Sequence, residues 1–149
     1  MRVVGIDLGT RRIGVAVSAG SMAMPYETIH RHGDRRADHR AIAAVVAEVD
    51  ADRVVVGLPL SLDGSKGPAA RAAEAEVAEL GAVLSVPVET YDERLTTVTA
   101  ERDLRDRGMR AERRRSVVDQ VAASVLLQAW LDRHGGTSSP ADDPRSDVP

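Results

Sequence analysis

Three acidic residues, far apart in a chain of 149, are the groups best placed to do chemistry. Asp7 closes an apolar run that includes Val3, Val4 and Ile6. Glu93 follows a second such run, directly after Asp92. Asp119 falls inside a long helical repeat, and at about 100° per residue it lies between Leu126 and Trp130 on the helix surface. A buried ionised carboxylate is costly unless it is paired or binds a cation, and converging carboxylates repel one another. A divalent ion relieves both. An all-oxygen donor set without cysteine suits Mg2+ or Mn2+. Two such ions about 4 Å apart can activate water and stabilise the leaving oxygen in phosphodiester cleavage. Each residue also has a plainer reading. Asp7 can cap the Gly9–Arg12 turn, Asp92 or Glu93 can pair with Arg94, and Asp119 can bond a loop amide or an arginine of the 110–115 run. The conjunction of all three is what favours a site. His30, His32, His39 and His134 fall in expected loops or ends and read as surface groups.

The elements that must position these groups follow from periodicity. Residues 2–8 and 13–18 read as strands joined by the Gly9–Arg12 turn, and 26–30 as a third strand. Ile42, Val45, Val46 and Val49 form one stripe of a helix over 36–49. The continuous apolar run 53–58 has the character of a strand buried on both faces, ended by Pro59. LSLDGSKGP is a loop by composition. An Ala-rich helix is predicted over 68–82, a strand over 86–91, and a helix over 96–107 with Thr96 or Thr97 as its cap. The strongest periodicity, with Val118, Ala122, Leu126 and Trp130 on one line, predicts a helix over about 112–133 that stops at Gly135-Gly136. One domain over 1–134 and a disordered polar tail over 135–149 are therefore expected. Antiparallel strands followed by helix-crossed parallel strands make a mixed-sheet α/β layer structure. The GxGxxG turn of dinucleotide-binding folds is absent.

Composition narrows the class further. The core has no Phe, one Trp and two Tyr to draw on, so it must be built from Val, Leu, Ile and Ala. With no cysteine, disulfides and thiolate metal sites are excluded. No apolar run approaches the roughly 20 residues of a membrane span, and Asp7 stands where a signal peptide is apolar, so a cytoplasmic protein is expected. The net charge of −3 does not advertise a polyanion partner, but its distribution does. Seven arginines between Arg102 and Arg115 face three acids, and four arginines with three histidines lie between His30 and Arg40. A solvated helix face would show the same pattern.

The segments GIDLGTRRIGVAVS, VVVGLPLSLDGSKG, DERLTT and VVDQVAASVLLQAWL, in that order across about residues 1–133, resemble the YqgF family. These are RNase H-like proteins described as Holliday-junction-resolvase-like and as pre-16S rRNA nucleases. The resemblance implies an RNase H-like α/β fold, a mixed five-stranded sheet with helices on both faces. It implies hydrolysis of nucleic-acid phosphodiester bonds, with trimming of the 5′ end of precursor 16S rRNA as the role. Asp7, Glu93 and Asp119 are implied as the metal-binding catalytic carboxylates, with Asp92 as the substitute for Glu93. Thr10, Arg11, Arg94 and Asp92 are the expected substrate contacts. Gly57, Leu58 and Pro59 would shape the site floor, and Asp63-Gly64 would lie in a substrate-facing loop. Nucleic acid is the expected partner, precursor rRNA before structured DNA, and the chain is expected as a monomer or weak homodimer.

Three other readings stand beside this one. GIDLGT before a second strand also resembles the phosphate-binding hairpin of the actin, Hsp70 and sugar-kinase ATPases. Those proteins need two facing domains, for which the chain is too short, and DERLTT and Asp119 would be unexplained. A resolvase of four-way DNA would need a symmetric dimer to make paired cuts. A non-catalytic nucleic-acid-binding module would have no need of three carboxylates.

Overall fold

The computed structural model describes residues 1–60, 63–93 and 111–138, with side chains described from 119 to 134 in the last helix. The elements run β1 (Val3–Leu8), β2 (Arg12–Ala19), β3 (Met22–His30), α1 (Arg35–Glu48), β4 (Arg53–Leu58), α2 (Pro68–Val83), β5 (Val88–Asp92) and α3 (Ala111–Ser138). The sheet order is β3-β2-β1-β4-β5. The first three strands form an antiparallel meander, and β4 and β5 add in parallel beyond β1. This is the mixed five-stranded sheet of the RNase H-like class, with β1 at its centre.

Strand alternation builds two cores. On one face Val4, Ile6, Ile13, Val15, Val54 and Val56 pack with Ile42, Val45 and Val46 of α1 and Leu80 of α2. On the other face Val3, Ala16, Val55 and Tyr91 pack under Ala122, Ala123, Leu126, Leu127 and Trp130 of α3. Each fully buried Val, Leu or Ile contributes roughly 1.5–3 kcal/mol. A sheet covered on both sides therefore has stability to offset a buried carboxylate at its centre. At its N-terminus α1 is capped by Asp34, whose side chain accepts from the amides of Arg36 and Ala37. Pro68 occupies the first turn of α2, where a missing N–H costs nothing.

The boundaries differ from the sequence expectation by more than one residue in three places. β3 begins at Met22 rather than 26, passing through Pro25. The ladder steps from Val15↔Glu27 to Ala16↔Pro25, leaving Tyr26 as an extra residue, and an edge strand with a bulge tolerates proline. β5 begins at Val88, after Pro87, which has no amide to give but whose carbonyl accepts from Val54. α3 continues through Gly135-Gly136 to Ser138. Two glycines weaken a helix without forbidding it, and the first proline downstream is Pro140. The helix predicted over 96–107, Arg94 and residues 139–149 of the tail lie outside the described residues.

Candidate active site

Asp7 stands near the C-terminal end of the central strand and is buried, 5% exposed. It faces α3, because it alternates with Val3 and Gly5, whose face is covered by that helix. Its two lateral neighbours are both glycines. Across the antiparallel ladder it is paired with Gly14. On the parallel side the last printed rung is Ile6↔Val56, and Asp7 and Gly57 come one residue further on each strand.

Each glycine leaves room for one of the other two acids. A Cβ on Gly14 would lie 2.0 Å from the main-chain oxygen of Asp119. A Cβ on Gly57 would lie 2.7 Å from Glu93 Oε2, 3.1 Å from Glu93 Cγ and 3.1 Å from Leu126 Cδ2. Cross-strand Cβ positions are about 5 Å apart and adjacent strands about 4.8 Å. The backbone of Asp119 and the carboxylate of Glu93 thus flank Asp7 from opposite sides. Gly5 extends the same close approach one step inward, since its Cβ would lie 2.8 Å from Leu127 Cβ. Interior strand glycines are a known signal of close backbone approach. That signal was readable at positions 5, 14 and 57, although it could not say what approaches.

Asp119 is buried, 9% exposed, and its Oδ2 accepts from Arg12 Nε at 2.8 Å. The partner is thus the first residue of β2 rather than a loop amide. Spacing gave no hint of it, because the two residues are 107 apart in sequence. Gln120 binds the same strand pair by donating to Thr28 Oγ1 at 3.0 Å. Farther along the α3 face, Trp130 Nε1 donates to Glu89 Oε2 at 2.8 Å. This bond fixes the helix against β5.

The other expected contacts are distributed more widely. Thr10 and Arg11 are exposed at the turn, which is closed by the Gly9 amide donating to the Arg12 carbonyl at 2.9 Å. Asp92 pairs in register with Leu58, on the alternation that carries Val88 toward α1 and α2. Its side chain therefore leaves β5 on the face opposite Asp7. Asp63 turns its loop by accepting from the Ser65 amide at 2.9 Å. The surface reading of the histidines fails at His39, which is 3% exposed and bonded to Glu76. Its position one helix turn before Ile42 and two before Val46 places it on the inner stripe of the helix.

Among the described residues no three His, Asp or Glu side chains are already gathered closely enough to hold a metal ion. The donor chemistry nonetheless fits a hard divalent cation. The Glu93 carboxylate and the backbone of Asp119 lie on the Asp7 face of the sheet, and the three side chains carry only hard oxygen donors. None of the described helices is long and apolar enough to cross a membrane.

Residues 1–133 match the family model described as "RuvX: Holliday junction resolvase". Relatives named "Putative pre-16S rRNA nuclease" include one from Myxococcus xanthus, 47% identical over 135 residues, covering 90% of this chain and 89% of its own. Another, from Chloroflexus aggregans, is 48% identical over 132 residues, covering 87% and 92%. A third, from Leifsonia xyli, is 47% identical over 147 residues, covering 95% and 92%. Among solved structures, Thermus thermophilus RuvC in complex with a Holliday junction substrate superposes with a TM-score of 0.58 at 17% identity, covering 92% of this chain and 97% of that one. At that identity the likeness concerns the fold.

Proposed function

The chain belongs to the RuvX family, and from that premise we propose that it is a divalent-metal-dependent nuclease of the cytoplasm that trims the 5′ end of precursor 16S rRNA. The observation that carries the reading is the pair of glycines beside Asp7, one seated on the backbone of Asp119 and the other under the carboxylate of Glu93. The names of relatives at 47–48% identity support the rRNA substrate.

Asp7, Glu93 and Asp119 would hold Mg2+ or Mn2+. When bound, such an ion lowers the pKa of a coordinated water and offsets charge that develops on phosphate. The chain's own groups do the rest. Arg12 holds Asp119 through Nε and balances its charge, leaving its terminal amino groups for a phosphate oxygen. Thr10 and Arg11, exposed on the turn after β1, bind the backbone of the substrate strand, and Arg94 takes a further phosphate oxygen. The apolar floor of Leu126 and Leu127, packed against Gly57 and Gly5, keeps water away from the inner side of the carboxylates. The chain works as a monomer or weak homodimer.

The deciding experiment is cleavage of a 5′-extended 16S rRNA fragment with Mg2+ or Mn2+, against wild type, Asp7→Asn and Asp119→Asn. Loss of at least 100-fold in both variants is expected, in line with removal of a charge that acts in the transition state. Wild-type cutting by either variant would remove that residue from the site. A second reading, cleavage of four-way DNA, is favoured by the family description and by the RuvC fold. Running the same assay on a four-way DNA junction separates the two, and paired symmetric cuts would also require a dimer.

A further inference from the structure

On the far side of the turn from the carboxylates lies a buried ionic cluster that the hydrolytic chemistry does not use. Arg31, at the junction of β3 and α1, has a side chain only 15% exposed. Its guanidinium forks onto Glu76 of α2, with NH1 to Oε2 at 2.9 Å and NH2 to Oε1 at 3.0 Å. NH1 also reaches Asp38 Oδ2 of α1 at 3.3 Å. Glu76 is shared with His39 Nε2 at 2.9 Å and, at 3.8 Å, with the partly exposed Arg35.

Two further contacts of Arg31 give the cluster its meaning. Arg31 Nε donates to the carbonyl of Gly9 at 2.9 Å, and its backbone amide donates to the carbonyl of Arg11 at 2.9 Å. One residue therefore holds two carbonyls of the four-residue turn that carries Thr10 and Arg11 and follows Asp7. Both helices of the opposite face index that turn, α1 through Asp38 and α2 through Glu76. Buried ion pairs are often replaceable by apolar groups without loss of stability. No apolar side chain can hold a carbonyl, whereas a planar guanidinium can fork onto a carboxylate and donate from Nε at once.

We propose that Arg31 is a positioning residue for hydrolysis: anchored by Glu76 and Asp38, it clamps the Gly9–Arg12 turn so that Thr10, Arg11 and the end of β1 meet the substrate in a fixed geometry. The proposal rests on the nuclease reading above. It adds a residue that touches neither substrate nor metal.

The test is Arg31→Lys in the full chain. Lysine keeps the charge against Glu76 and Asp38 but has one nitrogen, and so cannot also reach the Gly9 carbonyl. Three quantities are measured well below the melting temperature: hydrogen exchange of peptides spanning residues 8–13 and 53–58, kcat, and KM for the rRNA fragment. Exchange in 8–13 should rise at least tenfold with 53–58 unchanged, and kcat/KM should fall on the order of tenfold or more, since small misplacements of reacting groups are costly. If Arg31→Lys does not fold, Glu76→Gln, which weakens the anchor and leaves Arg31 in place, should show the same pattern in milder form. Unchanged exchange in 8–13 would overturn the clamp whether or not the chain cuts RNA. Faster exchange with kcat and KM intact would overturn its role in hydrolysis. Failure of the wild type to cut any nucleic acid would instead bring down the nuclease reading itself.

Discussion

Replacing Gly57 by alanine isolates Glu93 without touching a charge. The added methyl would sit 2.7 Å from Glu93 Oε2 and 3.1 Å from Leu126 Cδ2. Ordinary contacts lie near 3.5 Å, so the carboxylate oxygen must retreat by roughly 0.8 Å and Leu126 by about half that. Both are terminal atoms of side chains with rotatable bonds behind them. The overpacking cost should therefore stay near the low end of the usual range of about 1–3 kcal/mol. The loss of backbone freedom in the unfolded chain offsets about 0.4–1 kcal/mol of it. At roughly 2–4 °C per kcal/mol for a chain of this size, the melting temperature should fall by no more than about 6 °C. Catalysis should suffer far more, because displacing a reacting group by about 1 Å can cost on the order of 100-fold. Gly14→Ala is the control. Its methyl meets the main-chain oxygen of Asp119 at 2.0 Å, which no rotamer can relieve, so α3 must shift and stability should drop well beyond that of Gly57→Ala. Metal-dependent cleavage of the rRNA fragment and thermal melting read the two effects. A Gly57→Ala protein that cuts at the wild-type rate would show that Glu93 takes no part. One that melts lower than Gly14→Ala would show that the contact geometry is misjudged.

Two further outcomes follow from the ionic contacts. Arg12→Ala leaves Asp119 buried without its partner and should cost about 1–2 kcal/mol after allowance for partial exposure. In a double-mutant cycle with Asp119→Asn by thermal melting, a coupling below about 0.3 kcal/mol would mean the bond contributes nothing. Glu76 sets the acid limb of stability. Burial alone would raise its carboxyl above the ordinary 4.5, but hydrogen bonds from Arg31 and His39, with the charges of Arg31 and Arg35, outweigh burial and hold it below that value. Its stabilisation is complete above the unfolded-state pKa and is lost as pH falls through the lowered folded-state value. Denaturant unfolding from pH 6 to 3 should therefore fall less steeply in Glu76→Gln than in wild type, and parallel acid limbs would refute the assignment.

The sequence carried the fold where periodicity is pure. The β4 run 53–58 and the α3 stripe through Ala122, Leu126 and Trp130 bury the residues expected of them. It was less informative where a local rule is overruled by pairing, as at Pro25, which the β2 ladder accommodates by a bulge. The acidic positions were legible because carboxylates after apolar strands are costly. Their supports were not. Arg12 meets Asp119 across 107 residues and Arg31 meets Glu76 across 45, and such long-range pairs leave no periodic trace. His39 is polar, yet it lies on the inner stripe of α1, where the bond to Glu76 lets it stay buried.

The bulge at Pro25 has a consequence for solubility. β3 is an edge strand, and Met22, Met24 and Tyr26 are exposed along it at 60%, 49% and 38%. An apolar open edge is a template for strand addition by a second chain and so for aggregation. Proline offers no amide to such an intruder, and the bulge breaks the straight row of groups that it would have to match. The exposed β3 edge is thus kept from growing by one residue that lies outside the active site.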